Sequence, residues 1–346
     1  MSSRDDSSLP FSRHLHIPPV AGASSGGGSQ RHGRLRRNKR SPPPRCLLLP
    51  LKRKGNPLSM ERLALLRYIG DGERICVLNP ECTEVEIEHQ WPVKGEVSVV
   101  AFQNKLVFIG DGSRRVDQMD LSTAQVSSLP DMIIARLLPV CVATENEIFV
   151  FSTDCLGNEV YETALERWSL LPPMIEERSW CAAVKIPDSG ILVIGGNGRN
   201  RSALRSTELL TRRSGEGGGG GDENWQWLPF TPMNEEHRLY PLAVYFQGRV
   251  YVVGLEEHVN AMEMLDVGGS GQWTFLTSIN LHPGFSIYFM AIVGNELFVK
   301  DIEVPGCFST ELDSDPEVSL LEAGPCSLIS IWWFNFISIF PLSATA

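Results

Sequence analysis

Pairs of apolar segments separated by short polar turns recur along the chain. Two apolar segments around a tight polar turn are the pattern of an antiparallel β-hairpin. Five such pairs occupy residues 97–110, 137–152, 179–196, 239–254 and 288–300. The second strands of these pairs end at Gly110, Ser152, Gly195, Gly254 and Lys300, which gives steps of 42, 43, 59 and 46 positions. A period of this size predicts that one structural unit repeats along the chain.

Two further short segments complete each repeat. A glycine corner follows the second strand, a third strand comes next, as at 206–210 and 261–266, and an aromatic residue opens a fourth strand. The corner glycines are Gly110, Gly195, Gly196 and Gly254. The aromatic markers are Trp91, Trp168, Trp227 and Trp273, with Val126 in the same place in the first full repeat. Four strands without a helix predict an all-β chain of four-stranded blades, whose radial packing as a β-propeller leaves only short exposed edges.

Three repeats end with a similar phrase that leads to the next first strand. The phrases occupy residues 129–136, 171–178 and 231–238, and each places a proline before a methionine and ends in an arginine. The closing arginines are Arg136, Arg178 and Arg238. Proline restricts the backbone at the exit of the fourth strand, so these phrases are interpreted as connections between blades.

The third of the five repeats resembles the kelch-repeat family. Its apolar strand and double glycine at 191–196, third strand at 206–210, tryptophans at 225 and 227, and Met-to-Arg phrase ending at Arg238 follow the family's order. The resemblance covers about residues 64–325 and implies a kelch-type propeller of six blades with four antiparallel strands each. The other repeats keep single glycines or none, as at Ser152.

The blade count depends on how the two ends of the repeat region join. Residues 63–72 are interpreted as a second strand with no first strand before it. Kelch propellers commonly begin in this way, so the resemblance implies that a C-terminal segment after Gly324 supplies the missing strand and closes six blades. Five blades is the alternative if residues 301–325, which have a poor strand pattern, do not complete a blade.

Charge divides the chain into two parts. Residues 1–60 contain 12 Lys and Arg against two Asp, whereas the remainder contains 19 basic against 39 acidic residues. The first part is rich in Ser, Gly, Pro and Arg and has one apolar run, at 46–51, so it is predicted to be a disordered basic tail. Its basic runs are typical of nuclear import or phosphate contacts, with a solvated linker, or sequence upstream of a start at Met60, as the alternatives.

The predicted organisation is therefore a tail at 1–60, a propeller at 61–325 and an apolar segment at 326–346. Residues 212–224, with five consecutive glycines, are predicted to be a flexible surface insertion that explains the long 59-residue step. The apolar segment is short for a bilayer span, and its three interpretations are a closing strand, a gene-model artefact and a tail anchor. A membrane protein is not predicted, and the expected compartment is the cytoplasm or the nucleus.

Catalytic chemistry has little support in the sequence. The histidines at 89, 237, 258 and 282 lie in different repeats, and no metal-ligand spacing joins them to each other or to the cysteines. No catalytic residue, metal or cofactor is predicted. The alternative function is a galactose-oxidase-like copper enzyme, whose Tyr, Cys and His set would have to come from Tyr240, Cys181 and these histidines.

Protein binding is the expected function, because propellers present loops from every blade on one face. The candidate contacts are basic or polar residues after the second strands together with the closing arginines: Arg114, Arg115, Arg199, Asn200, Arg201, Arg205, Arg136, Arg178 and Arg238. The alternative for the closing arginines is a structural role through hydrogen bonds and ion pairs. The resemblance implies a scaffold or adaptor that grips an acidic peptide, for instance a substrate of a ubiquitin ligase or a cytoskeletal protein, without nucleic-acid binding by the propeller. No BTB, BACK or F-box segment is recognisable in the chain.

Overall fold

The computed structural model is all-β. It describes residues 49–52, 61–69, 72–78, 85–90, 92, 97–137, 139–151, 157–213, 225–237, 240–255, 257–258, 261–276, 286–293, 296–301 and 308–311. The described strands form six antiparallel sheets, five with four strands and one with three. The predicted all-β architecture of four-stranded units is thereby confirmed.

The strands of each sheet follow one another in chain order. Sheet 1 contains β1 (Leu49–Lys52), β2 (Glu61–Ile69), β3 (Gly72–Leu78) and β4 (Val85–Gln90). Sheet 2 contains β5 (Val97–Phe102), β6 (Lys105–Gly110), β7 (Val116–Asp120) and β8 (Val126–Leu129). Sheet 3 contains β9 (Val140–Ala143), β10 (Glu147–Phe151), β11 (Glu159–Glu162) and β12 (Arg167–Leu170).

The remaining three sheets repeat this arrangement. Sheet 4 contains β13 (Ala182–Ile186), β14 (Gly190–Ile194), β15 (Thr207–Arg212) and β16 (Trp225–Phe230). Sheet 5 contains β17 (Pro241–Phe246), β18 (Arg249–Gly254), β19 (Glu263–Asp266) and β20 (Trp273–Phe275). Sheet 6 contains β21 (Ile287–Val293), β22 (Glu296–Asp301) and β23 (Phe308–Glu311).

The inner strands are apolar on both faces because neighbouring sheets cover them. All six residues of β5 are buried, and in β10 and β14 each residue after the first is buried. One buried cluster joins residues of sheets 2, 3 and 4, and its aromatic pairs cross from sheet 3 to sheet 4, as in Phe149 with Trp225 at 5.2 Å between centroids. The first strands of successive sheets are neighbours in space, in the order β5, β9, β13, β17 and β21. Continuous apolar runs are expected for strands covered on both faces.

Sheet 1 differs from the expected closure. β2 occupies the second position as predicted, but the first position is taken by β1, whose residue Leu49 pairs with Ala64 and Lys52 with Glu61. Within the described residues β1 occupies the position expected for a C-terminal segment, and that segment itself lies outside them. β1 also lies inside the tail that composition predicts to be disordered. The short apolar run at 46–51 is the part of that tail able to pair with the edge of an apolar strand.

Several predicted segments lie outside the described residues. They are residues 1–48, most of the Gly-rich insertion at 214–224, and the C-terminal segment from 312 onward. Among the residues that are described, no helix is long and apolar enough to cross a membrane.

Candidate functional site

The loops that carry the predicted arginines lie at one end of the sheets. In a four-stranded antiparallel sheet, the turn after the second strand and the exit from the fourth strand lie at the same end of the strands. We call the segments at 130–139, 171–181 and 231–240 connectors, because each joins a fourth strand to the first strand of the next sheet. Isolated bridges pair Ser113 with Arg136 and Ser179 with Asn197. The turns after the second strands and the connectors therefore lie side by side. We call this end of the sheets the connector end.

Each described connector is anchored by a buried glutamate of the following sheet. Glu159 of β11 accepts hydrogen bonds from the backbone N–H groups of Ile133 and Ile134, at 2.7 and 2.9 Å. The same two bonds recur at 2.8 and 2.9 Å in the next two connectors, from Ile175 and Glu176 to Glu208 and from Asn234 and Glu235 to Glu263. These carboxylates satisfy backbone donors that would otherwise be costly to bury.

Arg136 and Arg178 pair with these carboxylates. Arg136 Nη1 lies 2.6 Å from Glu159 Oε1, and Arg178 Nη2 lies 2.6 Å from Glu208 Oε1. Both arginine side chains are 0% exposed and also donate to backbone carbonyls, including that of Gly195. Their guanidinium groups are out of reach of a partner, so the prediction that they line a binding surface does not fit the structure. They hold the connectors to the sheets.

Histidine replaces arginine at the equivalent position of the third connector. Arg136, Arg178 and His237 each lie four residues after the connector methionine. His237 is 2% exposed, and its Nδ1 lies 2.6 Å from Glu257 Oε2 while its Nε2 lies 3.5 Å from Glu263 Oε1. The predicted Arg238 is thus one position out of register with the other two, and it lies outside the described residues.

The two carboxylates alter the protonation of His237. Burial by itself would lower the pKa of the ring, but the hydrogen bond with Glu257 and the charge of the nearby Glu263 outweigh burial and raise the pKa to about 9. Burial alone would raise the pKa of Glu263, but the nearby ring and the N–H groups of Asn234 and Glu235, which donate to this carboxylate, hold its pKa below the ordinary value. At neutral pH His237 is therefore a cation and takes the place of arginine.

We expect this substitution to make sheet 5 sensitive to alkaline pH. A pKa raised from 6.5 to about 9 stabilises the folded protein fully below pH 6.5, and this contribution is lost as pH rises through about 9. Its size is roughly 3 kcal/mol. Urea unfolding should therefore show His237→Gln less stable than the wild type at pH 6.5, with most of the difference gone at pH 10. His258→Gln, at an exposed histidine between β18 and β19, should behave as the wild type; a pH-independent effect of His237→Gln would contradict this assignment.

The marker tryptophans hold the beginning of each connector, before its methionine. Nε1 of Trp168, Trp227 and Trp273 donates at 2.8 Å to a carbonyl oxygen two residues before the connector methionine. The accepting residues are Pro130, Pro172 and Thr231. Val126 occupies the position of these tryptophans in sheet 2, where it pairs with Met119. Its side chain has no hydrogen-bond donor and is 43% exposed. Trp91 lies outside the described residues.

Arg114 and Arg205 hold connectors to the sheets that precede them. Arg114 Nε donates to the carbonyl of Met132 at 2.6 Å, and Arg205 Nε donates to that of Met233 at 2.8 Å. The methionine N–H groups donate back to the arginine carbonyls at 2.8 and 2.9 Å. Both arginines are exposed, so they serve the fold through Nε and still belong to the surface of the connector end.

The other predicted contact residues lie at the surface. Arg115 pairs with Asp117 at 2.8 Å with 69% of its side chain exposed, and Asn200 and Arg201 are exposed. Arg199 is 81% exposed and binds both oxygens of Glu177, at 2.8 and 2.5 Å. The hydrogen bond from Arg199 lowers the pKa of Glu177. Such an exposed pair exchanges easily with another carboxylate, because water screens it.

A short loop after β14 gathers three of these arginines. We call residues 197–205 the rim loop. Asn197 bridges to Ser179 on one side and to Ala203 on the other, and Arg201 N–H donates to the Gly198 carbonyl at 2.8 Å. Arg201 has a positive φ of 62°. The turn therefore directs the exposed Arg199 and Arg201 away from the bridged backbone.

The double glycine permits this arrangement. Gly196 has φ +87°, and a Cβ there would lie 2.5 Å from the Ser179 carbonyl oxygen and 2.9 Å from the Cys181 nitrogen. The connector backbone thus packs directly on Gly196, in a space that no side chain can share.

Trp180 is a functional candidate that the sequence pattern does not single out. It lies between the two connector residues that touch Gly196, has φ +52°, and remains 38% exposed. Its ring packs edge-on against Tyr240 of the next connector, with centroids 5.2 Å apart at 62°. A tryptophan in the left-handed region is strained, and strain of this kind often marks a functional position.

Other apolar side chains are exposed on the connectors. Ile133, Leu137 and Ile175 are 44%, 55% and 60% exposed. Ile133 and Ile175 occupy equivalent positions, directly after the connector methionines. The connector end therefore combines exposed apolar residues, an aromatic pair and arginines, which is the composition of protein-binding surfaces.

The residues proposed for a copper site have other partners. Tyr240 packs on Trp180, His237 bonds to carboxylates, and Cys181 is buried. Within the described part of the chain, no three His, Cys, Asp or Glu side chains form a group that could hold a metal ion.

The sequence fits no known family model, and no curated protein is significantly similar to it.

Proposed function

We propose that the chain is a kelch-type β-propeller of six blades that binds proteins through its connector end. Six sheets in chain order, with first strands side by side, support the propeller. β1 lies beside both β5 and β21, as it would if sheets 1 and 6 were neighbours in a closed ring. The repeated Glu, Trp and Arg or His anchors support equivalent joints between blades.

The position of Trp180 is the observation that most supports the connector end as the binding face. Ser179 and Asn197 exchange two backbone hydrogen bonds, at 2.9 and 2.8 Å. Trp180 follows Ser179 directly, and Arg199 is two residues after Asn197, so a strained aromatic and an exposed guanidinium lie within a few residues of one bridged pair. Aromatic and arginine side chains together are the usual centre of a binding hot spot.

The proposed partner is an acidic peptide segment that carries a large apolar side chain. Arg199 and Arg201 would bind its carboxylates, with the Glu177 carboxylate displaced from Arg199, and Trp180 would cover the apolar group. The likeness to kelch proteins supports an adaptor or scaffold in the cytoplasm or nucleus, either presenting substrates to a ubiquitin ligase or contacting the cytoskeleton. That likeness concerns fold, and the partner itself has to be found by experiment.

Selection of a displayed peptide library on the purified protein tests this function. We expect enriched peptides to contain Asp or Glu next to a large apolar residue. Trp180→Ala should weaken their binding about thirty-fold, as removal of a hot-spot residue does. Charge reversal of Arg199 and Arg201 to Glu should weaken it at least as much, with little change in thermal stability.

Two variants away from the connector end provide matched controls. Arg167→Glu reverses an exposed charge at the start of β12, and Leu165→Ala removes an exposed apolar side chain from the turn between β11 and β12, and both should leave binding unchanged. Enriched peptides of basic character would contradict the proposal. Melting that falls as sharply as binding in the Arg199 and Arg201 variant would show that these arginines are structural.

A further inference from the structure

We propose that Ser202 is a phosphorylation site for an arginine-directed protein kinase. Ser202 is exposed in the rim loop, and its hydroxyl donates to Asn200 Oδ1 at 2.8 Å. Arg199 lies three residues before it and Arg201 one residue before it, and both are exposed. Kinases that select arginine before the acceptor read these guanidinium groups with carboxylates of their own, through charge-assisted hydrogen bonds.

The nearby Ser206 shows why Ser202 is the acceptor. Ser206 also follows an arginine, Arg205, but it is only partly exposed. Its hydroxyl accepts a hydrogen bond from Arg178 Nη2 at 3.0 Å and donates to Glu176, so it is part of the connector anchor. The Ser202 hydroxyl bonds to one exposed side chain of its own loop.

The reaction is an ordinary phosphoryl transfer from ATP. The Ser202 oxygen forms a bond to the γ-phosphorus, the bond from that phosphorus to the β,γ-bridging oxygen breaks, and ADP leaves. The hydroxyl proton passes to the base of the kinase. Two backbone bonds close the turn, Arg201 N–H to the Gly198 carbonyl and Gly198 N–H to the Ser202 carbonyl, at 2.8 and 2.9 Å. An exposed turn held by two bonds can open locally to enter a kinase cleft.

Phosphorylation would change the charge of the rim loop. The phosphate carries almost two negative charges at neutral pH and has three acceptor oxygens. The residue that carries it lies three positions after Arg199. It can therefore replace Glu177 as the partner of Arg199 and leave that carboxylate exposed beside Trp180. This step rests on the proposed function: an acidic partner would then meet a negative surface and bind more weakly.

Incubation of the purified protein with the catalytic subunit of cAMP-dependent protein kinase, ATP and Mg²⁺ tests the site. A glutamate-specific protease releases residues 178–208, in which tandem mass spectrometry locates phosphate. We expect phosphate at Ser202 and none at Ser206, loss of this signal in Ser202→Ala, and about a ten-fold slower reaction in Arg199→Gln. The free peptide 196–208 serves as the positive control.

Two outcomes separate this inference from the proposed function. Phosphorylation of the free peptide without phosphorylation of the protein at Ser202 would overturn the site. If Ser202 is phosphorylated but binding of the selected acidic peptide is unchanged, the site stands as a modification site and its role at the binding face is wrong. Binding that falls at least ten-fold in the phosphorylated protein, and not in treated Ser202→Ala, supports both.

Discussion

Glu208→Gln should destabilise the protein by about 3–5 kcal/mol, because it removes the buried counter-charge of Arg178 and leaves only the half-exposed Glu176, at 3.8 Å. Glu208 is 2% exposed and accepts three short hydrogen bonds, two from the connector backbone and one from Arg178. Glutamine keeps the shape but turns an amide toward these donors. Urea unfolding followed by tryptophan fluorescence measures the loss as a lower transition midpoint with an unchanged slope.

Glu177→Gln is the matched control in the same connector. It removes a carboxylate that also pairs with arginine, but both members of that pair are exposed, so the transition should not move. The double variant Arg178→Met with Glu208→Gln should lose less than the sum of the two single losses, because the single variants each leave one charge unpaired. Equal effects of Glu208→Gln and Glu177→Gln would contradict the anchoring role of Glu208.

Gly196→Ala is expected to cost about 3 kcal/mol or more. Two effects add at this position: alanine at φ +87° is strained by about 1–2 kcal/mol, and its Cβ would lie 2.5 Å from the Ser179 carbonyl oxygen. The connector must then move away from β14, and Trp180 moves with it. Binding of the selected peptide should therefore fall together with stability.

Gly248→Ala separates the two effects. Gly248 has φ +83°, nearly the value at Gly196, but a Cβ there meets nothing within 4 Å. It should cost only the conformational strain, about 1–2 kcal/mol, and leave peptide binding unchanged. If both alanine variants lose the same stability, the connector does not depend on close contact with Gly196.

The hydrophobic pattern predicts the sheets well because it reports burial directly. Strands such as β6 and β14 have continuous buried apolar runs after their first residue, since other sheets cover both faces, and the spacing of these runs gives the repeat. The pattern fails at β1. Four residues in a polar tail carry too little signal to reveal partners that are 9 to 15 positions further along the chain.

The site is less predictable because side-chain direction decides the role of each arginine. The sequence predicts both Arg178 and Arg199 as contact residues, yet one is buried against Glu208 and the other is exposed. Counting four residues from each connector methionine would have placed His237, rather than Arg238, beside the buried arginines. No sequence pattern singles out Trp180. Its conformation depends on the contact of its neighbours with Gly196, a residue distant from it in sequence.

Hydrogen–deuterium exchange of the protein with and without the selected acidic peptide tests the binding face most directly. The proposed function predicts slower exchange of the backbone N–H groups at 177–181 and in the rim loop, with Trp180→Ala abolishing the change. Protection confined to the outer strands β8, β12, β16 or β20, with the connector end unaffected, would contradict it.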